Sequence, residues 1–305
     1  MGCRRCDGKP VVNLREHKLS LCKDCYISWF IEYTEKTIRK FRMLSRDDRV
    51  LVAVSGGKDS LALWDVLNEL GYETSGLYIN LGINHNGYSD VSLQKSREFA
   101  QKIGRELVVV NIEEEFGLGI PGLRNITQRP LCSACGMTKR YYMNKIALDL
   151  GVSVLATGHN LDDETSQLLG NILNWSIDYL TQQSPVLPGK EEEGLRRKVK
   201  PFCYFTEKQT LLYTLLRDID YVGMECPFSV GATTLSNKEI LNQLEHRSPG
   251  IKRRFYDGFL KNKRLFNTAE VTVELKKCST CGMPTVNEVC SFCRTKEKAQ
   301  SVRFF

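Results

Sequence analysis

Continuous apolar runs, separated by segments with helical periodicity, organise the middle of this chain. Residues 50–54 are apolar without interruption, as a parallel strand covered on both faces requires. Residues 61–70 carry apolar side chains at helical spacing and stop at Gly71. The alternation recurs, with strands expected over residues 75–81, 107–112 and 152–157, and helices over residues 90–103, 137–150 and 162–175. A long loop is expected between residue 112 and Cys132. Such strand–helix repetition predicts an α/β fold, a doubly wound parallel sheet with right-handed crossovers. Upstream, Ile27, Phe30, Ile31, Ile38 and Phe41 share a helical face and predict a helix over residues 26–44. Arg39, Lys40 and Arg42 near its end complement the helix dipole. Downstream, residues 185–200 are rich in Pro, Gly and charge and read as an exposed loop, before helical patterning returns over residues 206–217 and 236–246.

The chain has 305 residues and 42% hydrophobic content, enough for one large domain with small appendages. The divisions expected are a cysteine module over residues 1–25, a linking helix over 26–46, an α/β domain over 47–270 and a second cysteine module over 271–305. A net charge of +7 implies only mild attraction to polyanions. The basic residues do cluster, however: Arg196, Arg197, Lys198 and Lys200 form one group, and Lys252, Arg253, Arg254, Lys261, Lys263 and Arg264 another. Each group either meets nucleic-acid phosphates or serves as a solvated surface. No apolar run approaches the roughly 18 residues of a membrane span, and the first residues hold no apolar leader, so a cytoplasmic protein without a membrane partner is expected.

The cysteines change the picture most. There are 12, and ten fall in C-x-x-C pairs. Cys3-x-x-Cys6 and Cys22-x-x-Cys25 are separated by fifteen residues, and Cys278-x-x-Cys281 and Cys290-x-x-Cys293 by eight. Both spacings suit closed four-thiolate zinc sites, so two Zn²⁺ ions are expected, one in each terminal module. Sites of this kind supply folding energy rather than chemistry. Cys132-x-x-Cys135 lacks a partner pair; Cys226 lies far along the chain, and Cys203, between Phe202 and Tyr204, has a core-like setting. Three thiols suit either a metal centre with an open position or a persulfide carried by one cysteine and resolved by another.

Ser55-Gly56-Gly57-Lys58-Asp59-Ser60 sits between a buried strand and a helix. Glycines permit the tight turn, and the helix N-terminus offers N–H groups to an anion. It is not a Walker A loop, because Val52 and Asp59 stand where that motif needs Gly and Ser or Thr. The hexapeptide resembles the PP-loop of N-type ATP pyrophosphatases, which implies an adenine nucleotide alpha hydrolase-like domain that splits ATP into an adenylate and pyrophosphate. Gly158-His159-Asn160-Leu161-Asp162-Asp163, at the end of the fourth expected strand, resembles the G-H-x-x-D-D box of PP-loop tRNA-modifying enzymes. Asp162 and Asp163 also suit a plain helix cap.

Taken over nearly the whole chain, these features resemble the tRNA 2-thiolation family of the TtcA/TtuA type. The resemblance implies a tRNA sulfurtransferase that adenylates the C2 carbonyl of the T-loop 5-methyluridine, position 54, and replaces its oxygen with sulfur; wobble-uridine thiolation is the alternative. It implies ATP and Mg²⁺ at Ser55, Gly56, Gly57, Lys58, Asp59, Ser60, Leu81, Lys139, Gly158 and Asp163. It further implies catalytic roles for Asp163, Lys139, Cys132, Cys135 and Cys226, with the three cysteines holding a [4Fe–4S] cluster. Its implied partners are tRNA, a small ubiquitin-like sulfur carrier ending in a thiocarboxylate, and a second copy in a homodimer. Two other classes compete. A PP-loop ligase or amidotransferase leaves Cys132, Cys135 and Cys226 without a task, and a non-catalytic zinc-finger RNA-binding protein leaves the loop at 55–60 without one.

Overall fold

The computed structural model describes residues 2–127, 130–228, 233–266 and 275–302. The boundary expected between residues 270 and 271 lies outside them. At the N-terminal end, β1 (Val12–Leu14) pairs antiparallel with β2 (Leu19–Leu21). The chain then enters α1 (Lys23–Phe41), which starts earlier than the apolar pattern indicates because Cys22, in extended backbone, takes the N-cap position. Left-handed Arg42 (φ 50°) ends it by returning its N–H to the carbonyls of Arg39 and Ile38.

The α/β domain follows the expected order: β3 (Arg49–Val54), α2 (Lys58–Glu69), β4 (Glu73–Asn80), α3 (Tyr88–Lys102) and β5 (Leu107–Asn111). Next come α4 (Ile112–Phe116), α5 (Ile120–Thr127), α6 (Leu131–Asp149), β6 (Val154–Thr157), α7 (Leu161–Leu173) and α8 (Ile177–Gln182). Then come β7 (Val186–Leu187), β8 (Arg197–Val199), α9 (Glu207–Leu216), α10 (Thr233–Arg247) and α11 (Ile251–Asn262). The C-terminal module holds the β9 (Lys276–Lys277) and β10 (Pro284–Thr285) hairpin and α12 (Ser291–Val302).

Among the described residues the main sheet has six strands in the order β5-β4-β3-β6-β8-β7. All neighbours are parallel except β7, which runs antiparallel to β8 along the edge. The order reverses at β3, whose neighbours are β4 and β6, and such a switch point opens a crevice at the carboxyl ends of the strands.

Four expectations need correction. The sheet is mixed at its edge rather than wholly parallel. Residues 185–200 are not an exposed loop; β7 and β8 complete the sheet there, and Val199 is fully buried. Strands this short fall below the length at which periodicity can be read. The segment after residue 112 is not a long loop but carries α4 and α5. Ile112, Phe116, Ile120 and Leu123 recur at helical intervals and are buried, a pattern hidden by the breakers Gly117, Gly119 and Pro121. Finally, α6 begins at Leu131, so Cys132 and Cys135 lie on the helix rather than ahead of it.

The terminal modules are packed into the body. Val12, Leu14, Leu21 and Tyr26 belong to the same buried cluster as Leu61, Trp64 and Phe205. Phe30 stacks on Phe205 and Tyr213, with ring centroids 3.9 and 4.4 Å apart. At the other end, Phe292 of α12 stacks on Tyr141 of α6 at 3.6 Å and meets Phe116 of α4 edge-on.

Candidate active site

The turn from β3 into α2 is held by its own hydroxyls. Ser60 Oγ accepts from Ser55 N at 3.1 Å and donates to Gly57 O at 2.9 Å. Gly56 has φ of 73°, and a Cβ there would lie 2.5 Å from Ser92 O, so only glycine fits. Gly57 takes the N-cap position of α2 without a side-chain cap, which leaves first-turn N–H groups for an outside anion. Lys58 lies beside the loop, its Nζ 2.9 Å from Asp59 and 2.8 Å from Glu207 of α9. Burial, the largest influence, pulls the Lys58 pKa down, but the two carboxylates outweigh it and leave it raised. Asp59 also accepts hydrogen bonds from Thr210 of α9 and from Asn160.

A cavity of about 500 Å³ opens at the carboxyl ends of β3, β4 and β6. Ser55, Asp59, Ser60, Leu81, Lys139, Gly158 and Asp163 line it, so the structure gathers these expected site residues in one space. Gly158 also packs against the phosphate loop itself. A Cβ there would come within 2.9 Å of the backbone of Asp59, so glycine lets the β6 loop close on the phosphate loop. The two aspartates of the box divide their roles. Asp162 is buried, binds Lys252 of α11 and accepts from Glu207 N at 2.8 Å, so it anchors the scaffold. Asp163 closes a capping box with Asn160 and also faces the cavity, its Oδ1 2.7 Å from Lys238 of α10. Helix capping and site lining are thus the same residue's work. Lys238 reaches Glu207 as well, at 3.2 Å, so Lys58, Glu207, Lys238 and Asp163 form a row of alternating charge. His159 hydrogen-bonds Thr157 Oγ1 at 2.8 Å.

Beyond this wall lies the odd cysteine group. Cys132 and Cys135 stand one turn apart on α6, and the Cys132 thiol donates to Phe228 O at 3.8 Å, close to Cys226 in sequence. Burial pushes the Cys135 thiol up; the Lys139 ammonium opposes this, while the charges of Cys226 and Cys132 add to it. Cys132 and Cys226 thus both lie near enough to Cys135 to act on its charge. Tyr88 is pushed up by burial and then by Cys226 and Cys135, and it also lines the cavity, so it connects the two regions. Cys203 is fully buried in the main core, away from this group, as its aromatic neighbours indicate. Among the described residues these three thiols do not close to within 4.8 Å of one another as the terminal groups do, and a set of three thiolates suits a cluster that keeps one iron unligated by protein.

The terminal cysteines form two compact groups. The sulfurs of Cys3, Cys6, Cys22 and Cys25 all lie within 4.8 Å of one another, as do those of Cys278, Cys281, Cys290 and Cys293. Backbone donors already face them: Cys22 N lies 3.3 Å from Cys3 Sγ, and Cys290 N 3.2 Å from Cys278 Sγ. The backbone N–H of Arg5 leads the causes that lower the Cys3 thiol to about 6, which favours the thiolate a metal ion needs. Both groups are built to hold a metal ion.

Sequence reasoning missed Tyr88, Arg140, Glu207 and Lys238. Each sits on a different helix, outside any motif, and only packing brings them to the site.

A PP-loop turn at the switch point of an α/β sheet, facing paired carboxylates and a cysteine trio, defines a nucleotide-using enzyme of the PP-loop class. Residues 31–176 match the PP-loop domain family, and residues 3–27 match the family described as the N-terminal LIM domain of 2-thiouridine synthetase TtuA. Over 294 residues the chain is 50% identical to the tRNA-5-methyluridine(54) 2-sulfurtransferase of Thermus thermophilus, covering 96% of this chain and 90% of that protein. It is 44% identical over 307 residues to the protein of the same name from Thermotoga maritima, covering 98% and 97%. The solved structure of the U34-tRNA thiolase NcsA from Methanococcus maripaludis with its [4Fe–4S] cluster has the same fold, with a TM-score of 0.80 at 24% identity over 97% of this chain and 96% of that one. The chain belongs to the family of tRNA-5-methyluridine(54) 2-sulfurtransferases.

Proposed function

We propose that this protein uses ATP to convert the T-loop 5-methyluridine of tRNA to its 2-thio form. The observation that carries the reading is the single cavity in which the phosphate loop, Asp163 and Lys139 meet the side of α6 that bears Cys135. The base oxygen O2 attacks the α-phosphorus of ATP, and pyrophosphate leaves. A sulfur nucleophile then adds at C2, the C2–O bond breaks, and AMP departs with the original oxygen. Backbone N–H groups and hydroxyls of residues 55–60 hold the β- and γ-phosphates. Asp59 and Asp163 take Mg²⁺, which balances the triphosphate. Lys58 exchanges its carboxylate partners for phosphate, Leu81 packs against the adenosine, and Lys139 neutralises the adenylate at the edge nearest Cys135.

Cys132, Cys135 and Cys226 hold a [4Fe–4S] cluster. When bound, its iron without a protein ligand supplies a Lewis-acid position for a sulfide. The four-thiolate groups hold Zn²⁺ and brace the surfaces beside the site. The sulfur comes from a small ubiquitin-like carrier through its C-terminal thiocarboxylate, the protein works as a homodimer, and a reducing cytoplasm keeps the thiols available. Among the described residues no helix is long and apolar enough to cross a membrane.

Protein prepared without oxygen, given ATP, sulfide and tRNA that carries the T-loop 5-methyluridine but no 2-thio group, tests this by mass spectrometry of the digested nucleosides and by nucleotide analysis. Thiolated 5-methyluridine with AMP and pyrophosphate is expected. Thiolation confined to the wobble uridine, or ADP and phosphate as the products, overturns the reading.

A further inference from the structure

Folding disperses the first basic cluster of the sequence and takes two members of the second into the scaffold. Arg196 pairs with Glu191 at 3.4 Å, Arg197 with Asp48 at 2.7 Å and Lys200 with fully buried Glu164 at 2.7 Å. In the second group Lys252 is buried against Asp162, and Arg253 pairs with Asp257 at 2.8 Å and lies over the Tyr204 ring. Lys198 is different. Residues alternate sides along β8, so Arg197 turns to Asp48 while Lys198 and then Lys200 point into the cavity. Among the described residues Lys198 has neither an ion pair nor a hydrogen-bonding acceptor.

Its neighbour is a second cation in the same position. Arg140 lines the same cavity from α6 and likewise has no acidic partner among the described residues. Its guanidinium folds back over Gly136, with Nη1 3.1 Å from where a Cβ of that residue would stand. Glycine inside a helix costs about 1 kcal/mol, and here it makes room for the arginine beside Cys135. The Arg140 charge is felt at Lys198: burial first, and then Arg140, pull that ammonium below its ordinary range. Two cations lining one cavity, neither paired with a carboxylate among the described residues, are poised for an anion.

The triphosphate's loop is elsewhere in the cavity, at Ser55, Asp59 and Ser60 on the β3–α2 turn, with β6 between β3 and the β8 strand that carries Lys198. A nucleotide presented for adenylation carries its own phosphates on both sides of the reacting base. We infer that Lys198 and Arg140 clamp an RNA backbone phosphate next to the target nucleotide, so that the base enters the cavity from the α6–β8 side and the ATP from the β3–α2 side. This rests on the proposed tRNA thiolation and deepens it, by assigning the wall that reads the RNA backbone.

The test is binding of unmodified tRNA across a salt series by Lys198→Met, Arg140→Met and the double variant, with ATP affinity measured without tRNA. Each lost phosphate contact should reduce the log–log salt slope by about one unit, or less where both cations share one phosphate. Lys198→Arg should restore the slope, and melting curves separate this from unfolding. A slope unchanged in the double variant overturns the assignment. So does loss of ATP affinity with the tRNA slope intact, which puts the pair at the triphosphate. Failure of the unaltered protein to bind tRNA at all would instead overturn the function on which the inference rests.

Discussion

Gly56→Ala and Gly57→Ala, adjacent changes of one methyl group, should behave as opposites. Gly56 sits at φ 73°, and its added Cβ would lie 2.5 Å from the carbonyl oxygen and 2.9 Å from the Cα of Ser92. Both atoms are backbone within α3, so neither can rotate away. A left-handed alanine costs about 1–2 kcal/mol, and overpacking adds about 1–3 kcal/mol. The expected loss is therefore about 2–5 kcal/mol. Gly57 has φ −83° and ψ 158°, which alanine adopts freely. Its new Cβ would meet only the Ser55 hydroxyl, at 3.3 Å, and that group can turn aside. Reduced freedom of the unfolded chain returns about 0.4–1 kcal/mol, leaving the change near neutral. Chemical denaturation of the two variants side by side is the assay, with pyrophosphate release as a second readout. A loop displaced by about 1 Å should lose about a hundredfold in rate in Gly56→Ala. Equal stabilities for the two alanines would refute the reasoning, because they would show that α3 moves to accept the side chain.

Three further outcomes follow from the same geometry. Stripping metal from the group at Cys3, Cys6, Cys22 and Cys25 should lower the melting of the whole chain in one transition, because Leu21 and Tyr26 share the main core; a separate early transition would count against this. Cys135→Ala in oxygen-free protein should lose the cluster's iron and the thiolation together, whereas Cys203→Ala should keep the iron and lose only about 1–2 kcal/mol of stability; an equal iron content in the two variants would refute the assignment. Burial raises the Glu207 carboxyl, but Lys58 and Lys238 outweigh it and hold it below its usual range, so its stabilisation is complete above the unfolded value of about 4.3 and fades as pH falls through the lower folded value. Lys238→Met should therefore cost at most about 1 kcal/mol at neutral pH, given the exposure of the pair, and shrink that acid-side loss; parallel acid-unfolding profiles would sink it.

What could be read from the sequence was what repeats at short range. The apolar runs marked β3, β4 and β5, and the glycines at Gly71 and Gly151 marked the turns that follow α2 and α6. The phosphate loop was legible because its six residues do their work within one turn. The two metal groups were legible because C-x-x-C spacing fixes half of each site locally. The short strands β7 and β8 were not, since β8 is held by pairing with β6 and edge strand β7 by pairing with β8, and neither by its own pattern.

The charges were hardest to read, and the reason is physical. A run such as Arg196, Arg197, Lys198 and Lys200 looks like one surface, yet folding sends Arg196, Arg197 and Lys200 to three different carboxylates and, among the described residues, leaves Lys198 without one. Asp48, Glu164 and Glu191 come from the segment before β3, from α7 and from the turn before β8, none of which the run itself announces. Lysines that find such carboxylates become part of the scaffold, as Lys252 does at Asp162. The cations that matter for an anionic substrate are those left over, and the remainder can be found only by pairing the rest. Lys198 and Arg140 belong to that remainder at this cavity, with Lys139 beside Cys135; one is on β8 and the other folded over a glycine in a helix, and no linear motif could have joined them.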